Sequence, residues 1–324
     1  VGVALVVQLD PVRLNGQRSV ATGKLLGYVR RQLEEIDMIL ITGATGSNGS
    51  EVVKQLAAAG VPCRAMVRNP DKAAAVRLPG VEIVRGDLAD PASLDAALRG
   101  VNHALLVSTF DPQQVALQGN FIQAAQRAQV EHVVKISGLG ANPNSKIAVG
   151  RWHGQSEKQL EESGLGWTML QPSFFMQNML GFADAIRKQG AFSCPAGDGK
   201  MGMVDVRDIA AVAVKALTEP GHMGKKYVIT GPEAISYAQI AEKLSAATGR
   251  PVRYVNVTPD DAKKTMLQTG MPAWLVEALL ELYGVVRGGY GAVVTKVVEQ
   301  VTGKRPRSFD EFARDHVAVF REQA

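Results

Sequence analysis

An α/β fold, a doubly wound parallel sheet of the Rossmann type, is predicted by three features of this chain. Short β-branched runs alternate with helical stretches, the first run opens through a glycine-rich turn onto a helix, and polar residues gather just beyond the ends of the runs. Strands alternating with helices give a parallel sheet covered on both faces, and ligands of such sheets bind beyond the carboxyl ends of the strands.

The first unit is the most informative. An apolar run from Met38 leads into Ile41-Thr42-Gly43-Ala44-Thr45-Gly46-Ser47-Asn48-Gly49, and residues 51–60 then read as a helix. One glycine lets the backbone bend sharply, a second lets it approach a pyrophosphate, and a third lets helix and strand pack closely. The free N–H groups at the helix start attract anionic oxygens. The turn reads as a dinucleotide cradle in a Gly-x-x-Gly-x-x-Gly variant of the usual spacing, although a glycine triplet without this strand and helix around it would be a weak signal.

The next predicted strand, 62–67, ends where a ribose-reading residue belongs, and Arg68 stands there, with Lys72 a turn further on. NAD would call for Asp or Glu at that point, whereas Arg favours the 2′-phosphate of NADP. The plainer reading makes both residues solvated surface cations.

The alternation continues. Residues 81–84 form a strand followed by Gly86-Asp87-Leu88, with a helix entered at Asp90-Pro91. Strand 103–107 ends in Ser108-Thr109, helix 115–128 follows, and strand 132–136 ends in Ser137-Gly138. A helix over 155–163 closes at Gly164, and strand 167–170 ends at Pro172. On the carboxyl-end rule, Asp87 and Leu88 lie by an adenine, Ser108 and Thr109 by phosphates or ribose, and Ser137, Gly138, Pro172, Ser173, Phe174 and Phe175 approach the nicotinamide.

Composition excludes several classes. With 324 residues, 46% hydrophobic and 21% charged, the chain can bury one large core and a smaller lobe. No apolar stretch approaches the ~20 residues that span a bilayer. The net charge is +5, but the 36 Lys and Arg are dispersed and form no basic run with interleaved aromatics, which argues against nucleic-acid binding. Cys63 and Cys194 suggest neither a disulfide framework nor a metal site and fit a reducing cytoplasm. Residues 1–37 precede the Met38 strand start and read as an extension outside the fold; the apolar opening 1–7 is too short for a secretory signal and lacks its positive flank.

Beyond Pro172, residues 201–216 read as a strand and a helix, and 226–230 as a strand returning to the main sheet. Residues 235–248 are helical, 252–257 a short strand and 272–283 an amphipathic helix. Gly284, Gly288, Gly289 and Gly291 mark a mobile or tightly turning stretch over the pocket, and 305–309 with a following helix closes the chain. There is no internal repeat or long linker, so the second lobe is interleaved with the first. The core is 38–172, completed by 201–231; the substrate lobe is 173–200 and 232–324.

Taken together, the Thr-Gly-x-x-Gly-x-x-Gly start, Gly86-Asp87-Leu88, Lys135-Ile136-Ser137, Gln171-Pro172-Ser173-Phe174-Phe175-Met176-Gln177-Asn178 and Val204-Asp205-Val206-Arg207-Asp208-Ile209-Ala210 resemble the NmrA-like, atypical short-chain dehydrogenase/reductase family over about residues 38–320. The resemblance implies a Rossmann domain with a smaller C-terminal lobe that closes over the nicotinamide. Members include quinone, azo-dye and triphenylmethane-dye reductases, as well as NADP-sensing regulators that catalyse nothing.

One departure from ordinary short-chain dehydrogenases bears on chemistry. Those enzymes use Tyr-x-x-x-Lys to protonate a carbonyl, and no Tyr here has Lys four residues later. His153 stands at the lysine position, Val149 at the tyrosine position, and Glu157 follows by four residues. A similar His-x-x-x-Glu looks like that of the quinone and dye reductases. His153 either orients the cofactor or donates a proton, or is a hydrogen-bonded helix residue; Glu157 either bonds the ribose region or His153, or is a solvated helix charge. Phe174, Phe175 and Met176 form either an aromatic-binding wall or plain core.

Two functions of different class follow. The first is NADPH-dependent hydride transfer to a quinone, azo compound, dye or similar conjugated acceptor. The second is an NADP-occupied redox sensor acting through a protein partner; a carbonyl reductase or isomerase of phenylpropanoid-like substrates is a weaker third. A homodimer is compatible with either of the first two.

Overall fold

The computed structural model describes residues 37–321, and the expectation for the segment before Asp37 lies outside them. In chain order the sheet strands are β1 Ile39–Ile41, β2 Cys63–Val67, β3 Val81–Arg85, β4 His103–Leu106, β5 His132–Ile136 and β6 Gly166–Pro172, with β9 Lys225–Ile229 arriving later. They form one seven-stranded sheet in the order β3-β2-β1-β4-β5-β6-β9, and every pairing is parallel. The order reverses at β1, between β2 and β4, which is where a doubly wound sheet opens a crevice for a ligand.

Side chains along these strands divide by parity, as a period of two requires. Ile39, Ile41, Ala65, Val67, Leu105, Val134, Ile136 and Leu170 face helices α1 Ser47–Ala58 and α6 Val206–Thr218. Leu40, Met66, Ala104, Leu106, Val133 and Met169 face α2 Pro91–Ala97, α3 Gln114–Arg127 and α4 Ala148–Glu161. Both faces are covered, so the central strands are apolar nearly throughout.

The second lobe has its own core. A 3₁₀ run, Met176–Phe182, leads into α5 Ala183–Gln189 and β7 Ala191–Cys194. After them come β8 Lys200–Met201, β10 Ile235–Ser236, α7 Tyr237–Thr248, β11 Arg253–Asn256, α8 Pro259–Gln268, α9 Ala273–Arg287, α10 Val297–Thr302, α11 Phe309–Asp315 and α12 Val317–Phe320. Met179, Ile186, Phe192, Met203, Ile240, Leu244, Phe309, Phe312 and Phe320 close this core around two small sheets, β10-β8 and β11-β7. One segment within 232–324 goes elsewhere: Val298 of α10 is buried in the sheet-facing core with α6, so that helix belongs to the Rossmann half. Met38 onward is a single compact unit.

The Val204–Ala210 motif proves to be a clamp between the halves. Asp205 caps α6 and accepts from Gln177 Nε2 at 3.0 Å, while Gln177 Oε1 accepts from the Val206 N–H at 3.1 Å. Asp208 accepts the Arg307 N–H at 2.7 Å and pairs with its guanidinium. Two sequence expectations shift at this level. The helix expected over 155–163 begins at Ala148, and Gly284 lies inside α9, so the turn starts only at Gly288. Among the described residues no helix is long and apolar enough to cross a membrane.

Candidate active site

One end of the candidate site is the β1–α1 turn. Gly43 takes φ +56, a backbone that L side chains rarely adopt, and the Gly46 N–H closes the turn on the Gly43 carbonyl at 2.9 Å. A Cβ on Gly49 would lie 2.2 Å from the Gly43 carbonyl oxygen, so this glycine lets helix and turn touch. Gly46 differs: among the described residues beyond its chain neighbours, only the Gly43 oxygen comes within 4 Å of its Cβ position, at 3.3 Å, and the residue is exposed. Helix α1 has no side-chain cap and no acidic residue in its first turn, which leaves its N-terminal N–H groups for an anion.

Thr42 fixes this turn to the next strand. Its hydroxyl donates to the Val107 carbonyl at 2.8 Å and accepts from the Val107 N–H at 2.7 Å. Gly43, Thr45, Gly46 and Ser47 are exposed, whereas Asn48 is buried with an Oδ1 that has no partner among the described residues. An open cradle with an orphaned acceptor fits a dinucleotide. Arg68 follows β2 and is exposed, as is Lys72 at the end of the 3₁₀ turn Pro70–Lys72. Asp87 and Leu88 follow β3 and are partly buried; Asp87 accepts from Ala89 N–H at 2.9 Å, and the Leu88 carbonyl accepts from Asn120. Ser108 accepts from buried Gln118 at 2.8 Å, and Thr109 beside it is exposed.

The other end of the candidate site collects at β5, β6 and α4. Gly150 and Gly154 lie on one side of α4, and a Cβ on Gly154 would meet Asn142 backbone at 2.1 Å. Their bare surface lets the loop after β5 lie on the helix. That loop packing brings Gly138 against the His153 ring, where a Cβ would sit 3.2 Å from Cδ2 and 3.6 Å from Nε2. On the other side of the ring, Nδ1 is 3.1 Å from Gln114 Nε2 and 3.1 Å from Lys135 Nζ. With both groups donating, Nδ1 accepts and the ring proton is on Nε2, toward Gly138. Burial, and then the Lys135 charge, hold His153 well below the ordinary histidine range.

Glu157 is not a solvated charge: it is 2% exposed. Its carboxylate accepts from Ser137 Oγ at 2.5 Å, from Gln171 Nε2 at 2.9 Å and from Lys226 Nζ at 3.0 Å. It thus ties together the ends of β5, β6 and the start of β9. Pro172 and Ser173 are buried, and Ser173 Oγ has no partner among the described residues. Phe174 and Phe175 are partly buried; their backbones bridge to Val204, and Phe174 lies beside the Cα of Gly291, where a Cβ would come 3.4 Å from its ring.

Three groups escaped the sequence reading. Lys135 and Gln114 sit behind His153, and an aromatic trio joins three elements next to it. Trp152 of α4, Phe110 after β4 and Trp274 of α9 have ring centroids 5.9, 6.1 and 6.5 Å apart, and Glu281 of α9 accepts the Ala148 N–H at 2.7 Å. Trp152 next to His153 was the one visible hint of this wall.

The model of the NmrA-like family matches residues 35–313. The chain belongs to the NmrA-like family. This NmrA-like chain is 48% identical over 283 residues to an NAD(P)H azoreductase of Xenophilus azovorans, a match that covers 87% of this chain and 99% of that one. The NADPH-bound structure of an NADPH-dependent quinone oxidoreductase of Escherichia coli superposes with TM-score 0.79 and 32% identity over 86% of this chain and 99% of that one. The NADP(H) complex of Citrobacter sp. triphenylmethane reductase does so with TM-score 0.77 and 26% identity, over 86% and 99%.

Proposed function

We propose that this NmrA-like oxidoreductase uses NADPH to reduce a conjugated acceptor of the quinone, azo or dye class, with His153 in place of a Tyr–Lys relay. Bound NADPH supplies the hydride. The chain's own residues hold the cofactor and deliver the proton: Gly43, Gly46 and the α1 N-terminus bind the pyrophosphate, and Arg68, aided by Lys72, bonds the 2′-phosphate. The neutral His153 ring offers its Nε2 proton at the carboxyl end of β5. Glu157 is a positioning residue that fixes Ser137 and Gln171. Phe110, Trp152, Trp274 and Phe174 supply apolar surface for a flat acceptor.

The observation that carries this reading is the His153 ring, gripped at Nδ1 from behind and facing Gly138 at the sheet edge where ligands bind. A conjugated acceptor spreads the negative charge that hydride leaves behind, so its proton can follow from a weak acid such as neutral imidazole or from water. A simple ketone needs a stronger acid at the oxygen during transfer. The sensor alternative draws no support from relatives named for reductase activities. Two buried free thiols, Cys63 and Cys194, agree with a reducing, cytoplasmic setting for this reading.

Steady-state NADPH oxidation with a panel of quinones, azo compounds and aliphatic ketones tests it. Turnover of the conjugated acceptors with negligible rates on ketones is expected. Rapid ketone reduction with no quinone or azo turnover would overturn it.

A further inference from the structure

Lys135 occupies a core position. It lies in register with Leu106 on β4 and Met169 on β6, both fully buried, and is itself 0% exposed. A lysine there is costly to bury, since its ammonium loses its water, and an apolar side chain of similar length would suit the position better. On the α3/α4 face, among the described residues, only the Glu157 carboxylate favours the charge.

Its surroundings are those of a proton site. The groups facing Nζ are His153 Nδ1 at 3.1 Å, the Ile136 carbonyl at 3.4 Å and the Glu157 carboxylate on α4, with Gln114 of α3 meeting the same histidine nitrogen. Behind Glu157 stand Lys226 of β9 and Glu161 of α4, paired with each other at 2.7 Å. On its own strand His132 marks the opposite end.

We propose that Lys135 is the proton reserve of the site, acting through His153: it donates to Nδ1 as His153 gives up its Nε2 proton. The proposal rests on the reading of His153 as the proton donor. When an acceptor has taken hydride, its anionic oxygen or nitrogen lacks one proton. The His153 Nε2–H bond breaks and that proton goes to the acceptor; one Nζ–H bond of the Lys135 ammonium breaks and its proton goes to Nδ1. The imidazole ends neutral, in its other tautomer, Lys135 ends as a neutral amine, and the acceptor ends neutral. After product leaves, solvent at the Gly138 side returns a proton along the same route in reverse.

The energetics favour this use. Burial brings the Lys135 ammonium down to about 7 against the opposing pull of Glu157. A group of that strength gives up a proton near neutrality, which an ordinary lysine does not. The reserve is filled below that pH and empties above it, so turnover falls as pH rises through the limb.

The test compares the wild-type enzyme, Lys135→Met, Lys135→Gln and His153→Gln with NADPH and 1,4-naphthoquinone, recording kcat from pH 5.5 to 9 and thermal stability. Lys135→Met should be at least as stable as wild type, lose roughly tenfold or more in kcat with KM for NADPH little changed, and lack the alkaline limb. Lys135→Gln can still donate a hydrogen bond to Nδ1 but has no proton to give, so it should stay slow and flat with pH. Recovery of wild-type kcat in Lys135→Gln would reduce Lys135 to an orienting donor and overturn the proposal, as would a wild-type limb surviving in Lys135→Met. Undiminished kcat in His153→Gln would instead overturn the reading of His153 on which the proposal stands. A slow His153→Gln beside a wild-type-like Lys135→Met would refute the reserve alone.

Discussion

The two ends of strand β5 carry buried polar side chains of similar kind and put them to different uses. At the amino end, His132 is 2% exposed, hydrogen-bonds Thr168 Oγ1 at 2.8 Å and stacks edge-on with His103. Thr168 in turn donates to the His222 carbonyl at 2.7 Å, so the cluster stitches β4, β5, β6 and the turn before β9. At the carboxyl end, Lys135, His153 and Glu157 gather below an open glycine edge. Burial and hydrogen bonding do not separate the two clusters. Position does: in a parallel doubly wound sheet only the carboxyl ends, the upper edge, meet the ligand, so the cluster at the amino or lower end is free to serve stability alone.

The sharpest way to probe the upper end is at the cradle. Gly46→Val should lower NADPH affinity by more than ~100-fold with little change in stability, because Gly46 is exposed in the turn and an added side chain meets the backbone no closer than 3.3 Å while it takes up space that the pyrophosphate needs. Gly49→Val should destabilise the protein outright, since its Cβ would overlap the Gly43 carbonyl. Calorimetric titration alongside thermal melts separates the two; equal binding and equal stability in both variants would break the distinction drawn within the turn.

Arg68→Ala should come next, narrowing the preference for NADPH over NADH by about 10–100-fold, the worth of one charge-assisted contact. Equal dissociation constants in the parent protein would remove the basis for assigning the 2′-phosphate to Arg68.

The lower end should show itself in acid. Burial, helped by the charges of His103 and His222, lowers the His132 pKa to about 4 from an unfolded value near 6.5. The native state therefore binds fewer protons than the unfolded chain between these values. Stability is present in full above pH 6.5 and is lost as pH falls toward 4, by roughly 1–3 kcal/mol. His132→Gln should flatten that slope in urea melts taken across this window; an unchanged slope would place the acid sensitivity elsewhere. The smallest effect is expected at Trp274, 38% exposed on the aromatic wall. Trp274→Ala should raise KM several-fold for a bulky azo dye, consistent with ~1 kcal/mol of lost aromatic contact, and leave a small benzoquinone unaffected.

How much of this was legible in the sequence depends on the region. The sheet was, because its central strands are compact, largely apolar runs, and β5 lies where the run 132–136 put it. The start of α4 was not, because Gly150 and Gly154 weaken a helix locally; tertiary packing of the following loop against those glycines, and the Glu281 carboxylate at Ala148, outweigh that weakness. Lys135 escaped for a different reason. A strand buried on both faces has no polar alternation to break, so nothing in the run of residues shows that this lysine points inward. Its one available signal was a charged residue between the apolar Val133, Val134 and Ile136 of a central strand. Glu157 read as a contact to the ribose region or His153 or as a surface charge, and its three partners come from the ends of β5 and β6 and the start of β9, which no local pattern brings together. In the second lobe the run Met176–Phe182, the short strand β7 and helix α8 are too brief or too polar to stand out before their tertiary partners are known.

The contrast between the ends of β5 is tested most directly by measuring kcat for NADPH-dependent quinone reduction in His153→Gln and His132→Gln at pH 7.5, each beside its thermal melt. The account predicts a loss of ~10²–10⁴ in kcat for His153→Gln with its melt nearly unchanged, and an undiminished kcat for His132→Gln. A His153→Gln enzyme that turns over at the wild-type rate, or a His132→Gln enzyme that folds normally yet has lost its activity, would contradict it.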